Sequence, residues 1–375
     1  MINKFIMLSQ APLTNKIFRD WFVEDLIKLF KKNFEFWNIN KKLYKNKDPS
    51  KVNKHFVKKI RNYSEFNSKI KKYESKKIIF LSLLPLTSEN IKFHKRLKIQ
   101  NFYLMQILWG MMPYDFPSLY ERILNKIKLM IEGKKLKVPK SKGNYFKIFD
   151  LVFYAGNYLK NRSEFLSKKS VKINLIDYDH YVRHKSKKVS NTAVFLDQAL
   201  TCHSDDESGK NKSHIKYYNS LEKFFLRIEK EYNLKVIIAL HPKNSLANKF
   251  FMKRKIYKNK TPELVSKSKL VLCHTSISVS YAVLNYKPII FLDSELICDY
   301  SDYGEDRLII NSLCRYLQAN KIYLDKKVNN LNLKLKPNVK LYNKYRDNFI
   351  ASPATLGESA RRIFLNEIIK LKNLK

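Results

Sequence analysis

The stretch VIIALHPKNS (residues 236–245), continued after a basic linker by KNKTPELVSKSKLVLCHTSISVSYAVLNYKPIIFLD (258–293), decides the fold. It contains three short apolar runs, Val236 to Leu240, Leu270 to Cys273 and Pro288 to Leu292, each of strand length and β-branched content. Helical patterns separate them, and strands alternating with helices imply a parallel sheet. Polar residues gather where the first two runs stop, at His241-Pro242-Lys243 and at His274-Thr275-Ser276-Ile277-Ser278. Open parallel sheets bind ligands at the carboxyl ends of their strands, which makes both clusters candidate site residues.

The chemistry suited to that place is anion binding. Leu270 to Cys273 predicts a strand and Ser276 to Asn285 the helix after it, with Ser276 or Thr275 as the cap. The first N–H groups of such a helix point back over the strand end and stabilise a phosphate or carboxylate. His241, expected at the end of a neighbouring strand, would donate to the same anion or protonate a leaving phosphate. Each element alone also has an explanation without a ligand: Ser276 caps a helix, and Pro242 fixes a turn around His241.

His241-Pro242, followed by a strand ending in His274-x-Ser276-x-Ser278, resembles the paired HP and serine motifs of bacterial sialyltransferase-like and Kdo-transferase-like enzymes. The likeness covers mainly residues 190–295, with the serines spread as Ser-Ile-Ser instead of adjacent. It implies a GT-B α/β fold, with two Rossmann-like domains whose parallel sheets face a cleft. It further implies a metal-independent glycosyltransferase without cofactor, working in surface polysaccharide biosynthesis. The donor would be a CMP-activated acidic sugar and the acceptor a glycan or lipid-linked hydroxyl. By the same resemblance His241, Ser276 and Ser278 engage the CMP phosphate, with Pro242, Lys243, His274 and Thr275 beside them. Two alternatives stay open. One keeps the fold but uses a nucleotide diphosphate, as glycerophosphate transferases and sugar epimerases do; the other is a non-catalytic basic nucleic-acid-binding protein.

Working outward, 375 residues hold two domains, each large enough for its own core. The expected division is 1–185 for the acceptor domain, 186–345 for the nucleotide-sugar domain, and 346–375 for a C-terminal helix returning to the first. Within the first, Asn15 to Lys32, Val52 to Tyr73, Phe102 to Met112 and Ser118 to Gly133 predict helices. Phe34 to Ile39, Ile78 to Leu84, Phe146 to Tyr154 and Val171 to Ile176 predict strands. After the last comes Asp177-Tyr178-Asp179-His180, where Asp177 or Asp179 would serve as general base for an acceptor hydroxyl, or simply form a turn. Thr192 to Leu196 predicts a strand that delivers Asp197 to the nucleotide. The loop TCHSDDESGKNKSH after it adds His203, Asp205, Asp206 and Glu207, without metal-ligand spacing.

The net charge of +41 is the largest signal in the composition. The lysines are spread along the whole chain, which argues against a nucleic-acid interface and fits a biased composition plus attraction to an anionic membrane. Only seven glycines occur, so G-x-G-x-x-G and Walker loops are absent. Four cysteines at distant positions read as reduced thiols, and with no secretory leader or membrane-length apolar run the expected place is the cytoplasm, at the inner face of its membrane.

Overall fold

The computed structural model describes residues 2–39, 54–73, 77–114, 144–186, 188–200, 213–242, 244, 250–251, 253–294, 305–326 and 331–373. Two parallel sheets with interleaved helices make up the chain, the expected α/β architecture. By internal contacts it separates into one unit of Met1–Trp109, Pro139–Ile176 and Ala351–Lys375, and another of Gly110–Val138 and Asp177–Ile350.

The first unit carries β1 (Lys4–Ser9), β2 (Phe34–Ile39), β3 (Val57–Ile60), β4 (Ile78–Ser82), β5 (Tyr103–Leu108), β6 (Phe149–Ala155) and β7 (Ser167–Ile173). Their order is β3-β2-β1-β4-β5-β6-β7, with every described pairing parallel. Central strands such as β4 are buried along their whole length, as strands covered by helices on both faces must be. One face packs Ile6, Trp37, Phe66, Phe80 and Leu104 into a common core. The C-terminal helix Ala360–Asn373 belongs to this unit, where Phe364 meets Phe22 and Phe153 at ring distances of 4.9 and 5.2 Å.

Four predicted elements of this unit come out differently. Phe102 to Met112 was expected to be helical, yet Tyr103–Leu108 is β5, paired with β4 and β6; a six-residue apolar run has no periodicity to separate strand from helix. The helix over Asn15 to Lys32 breaks at Trp21-Phe22, with Phe22 in the left-handed region at φ 56°. Val52 to Tyr73 holds β3 and a shorter helix, Tyr63–Ile70, capped by Asn62. β7 ends at Ile173, three residues before the predicted end. The helix over Ser118 to Gly133 lies outside the described residues.

The second unit holds β8 (Thr192–Leu196), β9 (Lys235–Leu240), β10 (Ile256–Lys258), β11 (Leu270–Cys273), β12 (Ile289–Asp293) and β13 (Asn320–Tyr323) in the order β10-β9-β8-β11-β12-β13. Its core gathers Phe195, Ile238, Leu272 and Ile290 from the sheet with Leu221, Phe225 and Ile228 from the helix Ser213–Tyr232. Both sheets thus run outward in two directions from their first strand, the Rossmann arrangement, and each has a point where the order reverses.

Candidate functional site

In the second unit the reversal falls beside β8, which has β9 on one side and β11 on the other. Leu196 is level with Ala239 of β9 and with Cys273 of β11, so the three strands end at one pole of the sheet. His241 and Thr275, each two residues farther on, emerge there. The expectation that their strands are neighbours is corrected: β8 lies between them, and two strand spacings separate the backbones by about 10 Å.

Residues just after β8 bridge that distance. The Asp197 carboxylate accepts the N–H of Ala199 and that of His241, both at 3.1 Å, and the Nδ2 of Asn244 at 2.8 Å. Asn244 N donates to the His241 carbonyl at 3.0 Å and closes the turn that holds Pro242. On the other side, Gln198 and Thr275 bond reciprocally, Thr275 N to Oε1 at 2.7 Å and Nε2 to Thr275 Oγ1 at 3.0 Å. Asp197 is buried, which raises its pKa, while its bonds from Asn244 and the backbone pull the other way. Its role is to hold the HP turn, since both oxygens already face protein donors. Ala199, two residues on, is fully buried with φ 53°, a left-handed conformation that costs an alanine energy and is enforced by these ties.

His274 does not face a ligand. It is fully buried, with Nδ1 2.7 Å from the Leu292 carbonyl and Nε2 2.7 Å from the Tyr217 hydroxyl. The carbonyl can only accept, so Nδ1 carries the proton and Nε2 accepts from tyrosine. Burial pushes its pKa down to about 4, against the opposing pull of the Leu292 carbonyl and Asp293. The expected nucleotide contact is therefore corrected to an internal post joining β11, β12 and the Ser213–Tyr232 helix. Thr275 is buried too, and Gln198 occupies its N–H and hydroxyl.

Beyond Thr275 the polar groups open. The helix predicted over Ser276 to Asn285 spans Val279–Leu284, with Ser278 as its N-cap residue and no side-chain cap. Ser276 is not that cap; its Oγ accepts the Ser278 N–H at 3.2 Å in a local turn. Among the described residues, the N–H groups of Ser276 and Ile277 and the hydroxyl of Ser278 make no hydrogen bond. Ser276 and Ser278 are half-buried. Two N–H groups and a hydroxyl within three residues, at a switch point, have the donor chemistry to accept an anionic oxygen. His241 is half-buried on the far side of β8, and Lys243 lies outside the described residues.

The carboxylates expected to act as base sit elsewhere. Asp177 and Asp179 are in the first turn of the helix Ile176–His184, within the second unit, rather than in a strand-end turn of the first. Asp177 accepts from the Ser280 hydroxyl and from the Tyr281 hydroxyl at 3.1 Å, while His180 Nδ1 donates to Tyr281 at 2.9 Å. This fastens the helix that follows the serine motif, so Asp177 positions it; Asp179 is buried. At the end of β12, fully buried Asp293 pairs with Arg307 at 3.1 Å and Lys321 at 2.8 Å.

Sequence reading missed Gln198, Ala199, Asn244, Tyr217 and Tyr281. Only the adjacency of Gln198 to Asp197 hinted at any of them. His203, Asp205, Asp206 and Glu207 lie outside the described residues. Among those described, no cluster of three His, Cys, Asp or Glu residues could hold a metal ion. A cavity of about 570 Å³, lined by Leu234, Lys269, Lys287 and Pro288 among others, opens at the opposite pole, where these strands begin.

No family model and no curated protein matches the sequence. Among solved structures, the chain is similar to a UDP-GlcNAc 2-epimerase of Methanocaldococcus jannaschii in complex with UDP-GlcNAc and UDP, at 14% identity and TM-score 0.48, covering 98% of this chain and 100% of that one. It is also similar to the wall teichoic acid polymerase TagF (12%, TM-score 0.48, 98% and 88%) and to MurG of Acinetobacter baumannii (9%, TM-score 0.41, 98% and 94%).

Proposed function

We propose that the protein is a glycosyltransferase of GT-B type that takes a sugar from a nucleotide donor, with the nucleotide held by the second unit and a glycan or lipid-linked acceptor by the first. The observation that carries this reading is the open receptor at Ser276-Ile277-Ser278, beside the point where the strand order reverses. Negative charge grows on the nucleotide phosphate as the sugar bond breaks. Preorganised N–H groups and hydroxyls aimed at that oxygen lower the barrier without having to reorganise. His241, clamped by Asp197 through its backbone, donates from the far side of β8 and assists the leaving phosphate. About 10 Å between the two arms suits a nucleotide phosphate with its sugar better than a lone small anion. Asp197, His274 and Asp177 hold this geometry and do not touch the substrate; the acceptor's base lies outside this group. The motif resemblance favours a CMP-activated acidic sugar.

Thermal shift against CMP, CDP and UDP tests the reading, because a ligand that binds the native state raises its melting temperature. CMP is expected to give the largest shift, reduced in Ser276→Ala and His241→Ala proteins that melt normally without ligand. A larger shift with CDP or UDP would move the donor to a nucleotide diphosphate. No shift with any of the three would remove the site.

A further inference from the structure

Large apolar side chains standing in water are ordinary when scattered and informative when grouped. In the first unit three are grouped by topology. Ile99, Phe146 and Phe165 are 71%, 60% and 49% exposed. They lie four, three and two residues before β5, β6 and β7, three strands that lie side by side and run parallel. All three therefore sit at the amino-terminal pole of one edge of that sheet, opposite the ends of its strands. The Phe146 and Phe165 rings touch at 5.4 Å, and Lys147 N donates to the Phe165 carbonyl at 3.0 Å. Ile99 joins them through its neighbour: Lys98 and Lys168 both pair with Asp150, Lys168 at 3.4 Å.

The charge around these side chains is mostly positive, with exposed Glu164 beside Phe165 and Asp150 between Lys98 and Lys168 as the acidic exceptions. Lys95, one helical turn before Ile99, is exposed, as are Lys147, Arg162 and Lys168. Lys147 Nζ caps the helix Lys160–Leu166 by donating to the Glu164 and Ser167 carbonyls, which keeps its charge at this pole. We propose that this pole of the first unit docks onto an anionic lipid bilayer, with Phe146, Phe165 and Ile99 entering the headgroup boundary and the surrounding cations meeting lipid phosphates. Exposed aromatics ringed by cations suit an interface that is apolar just below a negatively charged surface. A nucleic acid would use the cations but gives the isoleucine nothing to enter. Among the described residues no helix is long and apolar enough to cross a membrane.

The test is co-sedimentation of the full chain with phosphatidylglycerol–phosphatidylcholine vesicles, and with phosphatidylcholine alone, at low and high salt. Wild type is expected to bind the anionic vesicles, less at high salt, and the double variant Phe146→Asp/Phe165→Asp to bind them roughly tenfold less. A Lys95→Glu/Arg162→Glu variant, with the aromatic pair intact, is expected to lose the preference for anionic lipid. Both variants are checked for an unchanged melting temperature and an unchanged thermal shift with nucleotide, so failure of the donor site is read separately. Equal binding of wild type and the aspartate variant overturns the proposal. So does wild type that prefers single-stranded RNA to vesicles and keeps that preference with both phenylalanines replaced.

Discussion

The two sheets share one topology, and their reversal points differ in how the polar groups are used. In the first unit, between β1 and β4, Asn38 Nδ2 reaches the carbonyls of Ser9, Gln10 and Ala11, and Gln10 bonds Asn90 at 3.0 Å. Ser82 at the end of β4 bonds fully buried His94 at 2.7 Å and accepts the Leu84 N–H. Most polar groups at that end are tied within the protein, although Gln106 Oε1, level with Ser82 on β5, and His94 Nδ1 are buried without a partner among the described residues. In the second unit Asp197 and Gln198 tie down the turns on either side of β8, but the turn after β11 keeps donors with no protein acceptor. A Rossmann crevice thus offers an address for a ligand, and the local hydrogen-bond account decides whether the address is open.

Four experiments break or sharpen that contrast. Asp197→Ala has the largest expected effect of any substitution: three donors lose their acceptor, which costs about 3 kcal/mol in denaturant unfolding and abolishes any thermal shift with nucleotide. If nucleotide response survives, the HP turn does not depend on this clamp.

The second experiment uses pH. Burial pushes His94 down to about 3, against the opposing pull of the Asn90 carbonyl, and His274 down to about 4. In the unfolded chain both titrate near 6.5, so the unfolded state binds the extra proton first as pH falls. Stability from these two residues is full above about pH 6.5 and drains as pH drops towards their folded values, by roughly 2 kcal/mol each by pH 5. Urea midpoints at pH 7 and 5 measure this, and His274→Gln should flatten the dependence by about half of the histidine contribution.

Third, serines at the two reversal points should behave oppositely. Ser82→Ala leaves a buried imidazole nitrogen without its partner and costs about 1–2 kcal/mol of stability. Ser278→Ala should melt like wild type while weakening nucleotide affinity roughly tenfold, about 1.4 kcal/mol. Equal effects on stability would erase the distinction. The smallest change is Ala199→Gly: relief of the left-handed alanine should offset the entropy of glycine and leave stability unchanged or raised by up to about 1 kcal/mol, measured by the same unfolding curves.

Much of this was legible in the chain itself. The apolar runs at 192–196 and 270–273 are strands with those bounds, because a strand covered on both faces is written as a near-continuous apolar run, and 34–39 is one too, with Glu35 and Asn38 half-buried within it. The α/β alternation and the gathering of His241 and Ser276 at strand ends follow from the same pattern. What only the tertiary structure decided was neighbourhood. Periodicity reports that a side chain is buried but not against what. It therefore left β8 out from between β9 and β11, took Tyr103–Leu108 for a helix, and gave buried His274 a ligand when Tyr217, 57 residues earlier, holds its nitrogen. Asp177 was placed in the first unit for the same reason: its partners, Ser280 and Tyr281, are more than a hundred residues away in sequence and meet it only once the chain has folded.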